Sequence, residues 1–314
     1  MTSVLGTSLP LTAGQTEIWL DVNGAGGSNA YNSAGYLDVR GPLDRARFRT
    51  ALGRLVEEAQ CLRAQFLDVD GEPRQRLREV AELPLDELDF GTEPDPSAAA
   101  LDWMRTDLAK PYDPAGFPLF RLAVLTLGPD RALFYLSVHH LLCDGFSQVV
   151  LWRRLAELYE ADGGDAGPAL PPLADLLTAE AAYLGSSRAR RDAEFWQRRF
   201  PEPPEPADLS HREPATAAPQ GFLRRTAALS AGTSARLRAA ASRADVTWPT
   251  AVMAAVAVYT QRMTGVEDVL LTLPVTARPT AHERSIPGML ANYLPLRVPV
   301  RPALTRAGLL RHTS

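Results

Sequence analysis

Two histidines stand side by side at positions 139 and 140, in a chain that holds only five. They close an apolar, β-favouring run, Leu133-Phe-Tyr-Leu-Ser-Val138, and are followed by Leu141-Leu142-Cys143-Asp144-Gly145. Neighbouring residues on a strand point to opposite faces. One imidazole can therefore face a cleft while the other braces the backbone. Imidazole titrates near neutrality and can take or give a proton at pH 7. Asp144 can fix the loop by an ion pair or by hydrogen bonds. Gly145 allows a sharp turn or the close approach of a ligand. Other readings attach to the same residues. A strand histidine is most often a satisfied core residue. A histidine pair can be half of a metal site, but His211, His282 and His312 lie in polar or terminal stretches. No cysteine or carboxylate has ligand spacing to the pair, so no metal is expected. Cys143 beside His140 suggests a thiol nucleophile, although nucleophile and base normally meet from different parts of a fold.

The elements that must hold this loop can be read from periodicity. Phe117 to Leu127, Gly-Pro-Asp130 and Arg131 to Val138 predict a hairpin whose second strand delivers the histidines. Phe146, Val149, Val150, Leu155 and Leu158 predict a helix running from Gly145 to Tyr159. Upstream, Thr12 is a candidate N-cap for a helix carrying Gln15 and Trp19. Asn23 to Ser28 is Gly-rich but lacks the Lys-Ser/Thr of a phosphate loop. Tyr36 to Arg40 alternates as a half-buried strand. An apolar stripe from Leu43 through Phe48, Leu52, Leu55 and Val56 to Leu62 marks a core helix. Residues 64–69 and 74–78 flank a hairpin turn at Asp70-Gly71-Glu72, and Pro94 to Leu108 reads as a capped helix. Pro168 to Pro172 looks like a linker. Beyond it come helices over Leu173 to Leu184 and Ser187 to Phe200, then an exposed Pro/Ala/Glu-rich loop from Pro201 to Gln220. A strand (Phe222 to Leu229) and two helices follow. The second of these, Trp248 to Thr264, is apolar nearly all round and is expected to be buried. A last strand spans Leu294 to Val300. No internal repeat is visible.

Composition narrows the field. With 314 residues, 46% hydrophobic and 22% charged, the chain is long enough for two cores. A net charge of −4 without a basic run argues against a nucleic-acid partner. Ala251 to Tyr259, the most apolar segment, is too short to span a bilayer. The first residues have neither a basic nor an apolar signal region, so a signal peptide is not expected. Two cysteines make no disulfide framework, which fits a reducing cytoplasm.

His139-His140-Leu-Leu-Cys-Asp144-Gly145 resembles the HHxxxDG motif of the chloramphenicol-acetyltransferase-like superfamily, and the chain resembles a condensation domain of a nonribosomal peptide synthetase. Further motifs of that family occur in order. Leu11, Thr12, Gln15 and Trp19 match an LT-x-x-Q-x-x-W pattern. Leu62-Arg63-Ala64-Gln65-Phe66 is similar to LR-T-x-F. Asp192 to Trp196 keeps only Trp196 of a fourth motif. Asp268 to Arg278 with Ile286 to Val298 resembles a fifth, through Asn292, Leu294, Pro295, Leu296 and Arg297, with Gly288 one place displaced. The resemblance implies an α/β fold of two lobes in a V, with mixed sheets flanked by helices. The N-terminal lobe (1–170) would carry the histidine loop, and the C-terminal lobe (171–314) would be partial, since family domains continue beyond the fifth motif. The implied reaction is amide formation between an acyl thioester on one carrier protein and the amino group of an acceptor on a second carrier. His140 would act as base or hydrogen-bond partner to the amine. His139 would be structural, and the Gly145 N–H would lie near the reacting carbonyl. By the same resemblance Arg63 would pair with Asp144, and Ser147, Asn292 and Arg278 would meet substrate. No cofactor would bind directly, because the substrates ride on phosphopantetheine arms of carriers, and adenylation domains would be neighbours. The Ala30-Tyr31-Asn32 run and the Asp-Gly-Phe-Ser147 ending look like initiating domains that accept a fatty or aryl acyl donor. Three alternatives stay open: an epimerisation domain, an acyl-CoA-dependent acyltransferase, and a non-catalytic module that docks carriers.

Overall fold

A computed structural model of the chain describes residues 8–25, 29–202, 209, 226–301 and 303–313. Three parts of the sequence reading lie outside the described residues: the end of the Gly-rich loop (26–28), nearly all of the loop from 203 to 220 with His211, and residues 222–225 of the expected strand. Residues 226–229 are described and form no strand.

The chain divides into two compact units. Met1–Ala189 joins Thr276–Ala291 in the first, and Arg190–Val275 joins Asn292–Ser314 in the second. This is not the division at residue 170 expected from the linker. The helix after that linker buries Leu173 and Leu176 in the first unit's core, and the later segment adds Ile286 and Met289 to the same core. A proline-rich connector therefore marks a change of direction here, not the end of a packing unit.

The first unit is built on two sheets. Strands β1 (Ser8–Pro10), β3 (Ala64–Val69) and β4 (Glu72–Leu77) form an antiparallel sheet in the order β1-β4-β3. Between β1 and β3 the chain forms α1 (Ala13–Ala25), β2 (Asn32–Arg40), α2 (Arg45–Glu58) and a 3-10 turn, Gln60–Arg63. The second sheet is mixed, in the order β2-β7-β6-β5. It adds β5 (Leu85–Asp89), which is parallel to β6 (Phe120–Gly128), and β7 (Arg131–His139), which is antiparallel to both β6 and β2. α3 (Pro96–Ala109) begins at the Asp95 N-cap. α4 (Gly145–Glu160) and α5 (Leu173–Leu184) complete this part of the order.

β7 is buried along almost its whole length because both of its faces are covered. Phe134, Leu136 and Val138 face the main core with Phe48, Leu52 and Leu55 of α2 and Leu151 and Leu155 of α4. Leu133 and Tyr135 face a smaller cluster with Met104 of α3. The sheet thus presents a rigid rod whose last residue is His139.

The second unit contains α7 (Ala231–Arg243), α8 (Trp248–Thr264), β8 (Asp268–Val275), β9 (Asn292–Pro299) and α9 (Arg306–Thr313), with α6 (Ser187–Arg199) running into it. Among the described residues β8 and β9 pair antiparallel with each other alone. Their small core is Ala257, Val269 and Val298. The expectation for α8 is corrected here. It buries Thr250, Ala251, Ala254, Ala257 and Thr260, while Trp248, Val252, Val256, Tyr259 and Met263 are exposed. The small residues, not the large ones, face the sheet. A pattern that is apolar all round cannot tell which side is covered.

Candidate functional site

β7 ends by handing its two histidines to different surroundings. His139 is opposite Asn32 in the β2 register and is fully buried. Its Nδ1 accepts the Leu141 N–H at 3.2 Å, and its ring lies edge-on to Tyr112. Because Nδ1 is an acceptor, the proton of the neutral ring sits on Nε2. Burial, and then the neighbouring His140, hold the His139 pKa down at about 4. His140 donates its backbone N–H to Tyr31 O at 2.8 Å, and its side chain is half-buried. Burial lowers its pKa as well, and the charge of Asp144 opposes that shift. Both rings are thus biased toward the neutral form near pH 7. His140 is the less buried of the two, and it lies one residue beyond β7, in the turn that follows the strand.

His139 gives folding a pH dependence. Its folded pKa lies below the usual 6.5. Below pH 6.5 the unfolded chain therefore takes up a proton that the folded chain refuses. Stability is then lost progressively as pH falls from 6.5 toward 4, by about 3 kcal/mol at roughly 1.4 kcal/mol per pH unit. Urea unfolding of wild type and His139→Gln at pH 7.5 and 4.5 measures this. The variant should lose distinctly less stability between the two pH values.

Asp144 is the hub of the loop. It caps α4 through Oδ1, which accepts the Ser147 N–H at 2.9 Å. Its Oδ2 accepts Arg278 Nη1 at 2.7 Å and the backbone N–H groups of Leu290 (3.1 Å) and Ala291 (2.9 Å). Arg278 and Asp144 are both almost completely buried. Burial alone would raise the Asp144 carboxyl pKa. The Arg278 charge, with the hydrogen bonds from Arg278 and Ser147, outweighs burial and keeps it below the usual carboxylate range.

Ser147 Oγ closes the network. It receives Gly288 N–H at 2.9 Å and Arg278 Nη2 at 3.0 Å, and lies 2.8 Å from Asp144 Oδ1 and 2.7 Å from Gly288 O. Ser147 has one hydroxyl hydrogen for two acceptors. Asp144 Oδ1 also accepts the Ser147 N–H, and Gly288 O also accepts Arg278 Nη2 at 2.9 Å, so each of the two acceptors has a second donor. The segment 286–291 is thereby clamped beside the histidine loop. A side chain at Gly288 would press on Leu176 at 3.0 Å and Leu173 at 3.1 Å, so glycine is what lets the segment sit this close.

Three assignments from the sequence are corrected by this geometry. Arg63 is not the partner of Asp144. It ends the 3-10 turn before β3 in the other sheet, and Arg278 fills that place. Arg278 and Ser147 are not exposed to a substrate, because both are buried and hydrogen-bonded inside the clamp. Asn292 begins β9 in the second unit, exposed, with its Oδ1 accepting the Tyr293 N–H. Gly145 opens α4, exposed, and a Cβ there would meet nothing within 4 Å. Cys143 is fully buried and its thiol pKa is pushed well above the ordinary value, so the nucleophile reading fails. Sequence reasoning missed Gly288 as part of the clamp, although Ile286-Pro-Gly288 already stood out as a displaced motif glycine.

The comparisons agree on one family. The condensation-domain family model matches residues 6–314. A dimodular nonribosomal peptide synthase of Bacillus subtilis (strain 168) is 36% identical over 307 residues, covering 97% of this chain and 13% of that protein. An isonitrile lipopeptide synthase of Streptomyces coeruleorubidus is 38% identical over 298 residues, covering 93% of this chain and 20% of that protein. The chain thus spans a fifth or less of the length of these two relatives. Among solved structures, the first condensation domain of the calcium-dependent antibiotic synthetase, in complex with a substrate analogue, superposes with a TM-score of 0.86 at 32% identity, covering 98% of this chain and 73% of that one. A variant of the starter condensation domain of rhizomide synthetase in complex with C8-CoA gives 0.87 at 33% identity, covering 99% and 71%. The chain belongs to the condensation-domain family of nonribosomal peptide synthetases, and its α/β fold is the chloramphenicol-acetyltransferase-like fold of those domains. Among the described residues no helix is long and apolar enough to cross a membrane.

Proposed function

We propose that this domain joins an acyl thioester to the amino group of an aminoacyl acceptor, and that it is of the initiating kind, taking a fatty acyl donor. The observation that carries the chemistry is His140: a half-buried imidazole, biased to neutrality, at the end of a rigid strand. The C8-CoA complex of the similar starter domain and the lipopeptide relative support the donor class.

In this reading the neutral amine attacks the thioester carbon. A C–N bond forms, the C–S bond breaks, and the amine proton passes to His140 and on to the departing thiolate. The first N–H groups of α4, at Gly145 and Phe146, face the developing oxyanion, where a helix N-terminus favours negative charge. His139 and Asp144 act on the loop, not on substrate. Both substrates ride on phosphopantetheine arms of carrier domains, and adenylation domains load the acceptor. The test supplies an aminoacyl carrier with either octanoyl-CoA or an octanoyl carrier and looks for the amide by mass spectrometry. Amide from either donor supports the reaction, and the pair of donors separates a soluble thioester from a carried one. No amide from either overturns it.

Gly145 gives a sharper check. Its side-chain direction is open and its backbone is ordinary helix. Gly145→Ala should therefore hold or raise stability, by about 0.4–1 kcal/mol. A methyl group where the reacting carbonyl must approach costs about 1–3 kcal/mol, so kcat/KM should fall by about 5- to 150-fold. Parallel loss of stability and activity would refute this placement.

A further inference from the structure

Gln15 sits in the first turn of α1 and is fully buried. Its Oε1 accepts the Thr12 N–H at 2.9 Å while Thr12 Oγ1 accepts the Gln15 N–H at 3.1 Å. That reciprocal pair caps the helix, and a capping role alone would leave the amide nitrogen at the surface. Here Gln15 Nε2 instead donates to Leu141 O at 2.9 Å, the carbonyl of the residue that follows His140. Gln75 of β4, equally buried, holds the amide from the other side. Its Nε2 donates to Gln15 Oε1 at 3.0 Å and to Pro10 O at 2.8 Å, and its Oε1 lies 3.4 Å from Gln15 Nε2. Every donor and acceptor of Gln15 is thus engaged, and the amide cannot be flipped without opposing donor to donor at Gln75 and acceptor to acceptor at Leu141. Thr12 adds a second tie, donating its hydroxyl to Met289 O at 2.8 Å in the segment that also grips Asp144.

We propose that Gln15, locked by Gln75, is a positioning residue for His140: it fixes the backbone carbonyl of the residue that follows His140 and so sets where the ring points. The inference rests on the reading of His140 as the group that meets the amine, but its physical content, the link between a buried amide and the imidazole, is measured independently of activity. In fully satisfied buried networks, removing one member leaves the rest without partners and lets the chain shift. A displacement of 1 Å at the reacting groups is enough for about a 10²-fold loss of rate.

The test follows the imidazole ¹⁵N resonances of the intact chain labelled at histidine, with His140 assigned from His140→Ala. In Gln15→Met the His140 resonances and their titration midpoint should move, and kcat for amide formation should fall about ten- to a hundredfold with a much smaller change in KM. Leu52→Ala, a core truncation in α2, is the control for general destabilisation and should leave the His140 resonances in place. Gln75→Met keeps the reciprocal cap of α1, and should show the same changes in milder form; it carries the test if Gln15→Met does not fold. His140 resonances that superpose on wild type in a folded glutamine variant overturn the proposal. If His140→Ala keeps full activity while Gln15→Met still moves the resonances, the positioning stands and the assignment of His140 to the chemistry falls.

Discussion

Replacing Arg278 by methionine should cost the protein about 3–5 kcal/mol, the loss seen when one partner of a buried ion pair is removed. The cost arises because Asp144 stays behind. Its Oδ2 keeps the Leu290 and Ala291 N–H groups, but its charge no longer has a counter-ion, and both Ser147 Oγ and Gly288 O lose a donor. Urea unfolding measures the loss. Adding Asp144→Asn to Arg278→Met removes the stranded charge while an amide oxygen still caps α4, so the double variant should lose less than the sum of the single losses. The pH dependence has a definite sign. Because the folded Asp144 carboxyl is depressed, the stability it confers is present above its unfolded value and is lost as pH falls through the folded one. The gap between wild type and Arg278→Met should therefore close in acid. Arg63→Met is the decisive comparison. It removes no partner of Asp144 and should stay within about 1 kcal/mol of wild type. Equal losses at Arg63 and Arg278 would restore the assignment that the geometry rejects.

The Arg63 error shows what the sequence can and cannot carry. The histidine strand, its hairpin partner and the helix that begins at Gly145 were legible because period-2 and period-3.6 patterns are local, and a single Asp-Gly step marks the change between them. The helices Leu173–Leu184 and Trp248–Thr264 were legible for the same reason. An ion pair between Asp144 and a residue 134 positions away has no local signature. Two arginines beside apolar runs, Arg63 and Arg278, are equivalent until the chain is folded. β5 escaped notice because Leu85-Asp-Glu-Leu-Asp89 offers two apolar residues in five, enough for a sheet edge beside β6 but too few for a pattern. The exposed side of α8 escaped for the opposite reason: its large residues looked like core, whereas its small residues are the buried ones and Ala257 packs against Val269 of β8 and Val298 of β9. Gln15 was visible as a spacing, Thr-x-x-Gln, but the destination of its amide at Leu141 depends on how β7 and α1 meet. Local signals thus placed the histidine pair at the end of its strand, and tertiary contacts decided what holds the loop around it.

His140→Ala should reduce the rate of amide formation by about 10²–10⁴-fold if the ring takes the amine's proton in the transition state. Binding of the acyl thioester should change little, because Gly145 and the α4 terminus are untouched. The pH profile separates this from a general loss of fit. The acceptor's own α-amino group must be neutral and titrates near 7.7–8.0, imposing a rise in rate toward alkaline pH on every variant. Dividing the wild-type profile by that of His140→Ala cancels this common limb and leaves the imidazole. The quotient should be flat at high pH and fall as pH drops through the His140 pKa. Burial has lowered that pKa, so the midpoint should lie below 6.5. His139→Gln should keep the same limb, since its ring faces Tyr112 and the loop backbone and stays neutral throughout this range. A quotient that never falls as pH drops below 6.5, or an alanine variant as fast as wild type under single-turnover conditions, would take proton transfer away from His140 and leave the amine to be activated by the departing thiolate alone.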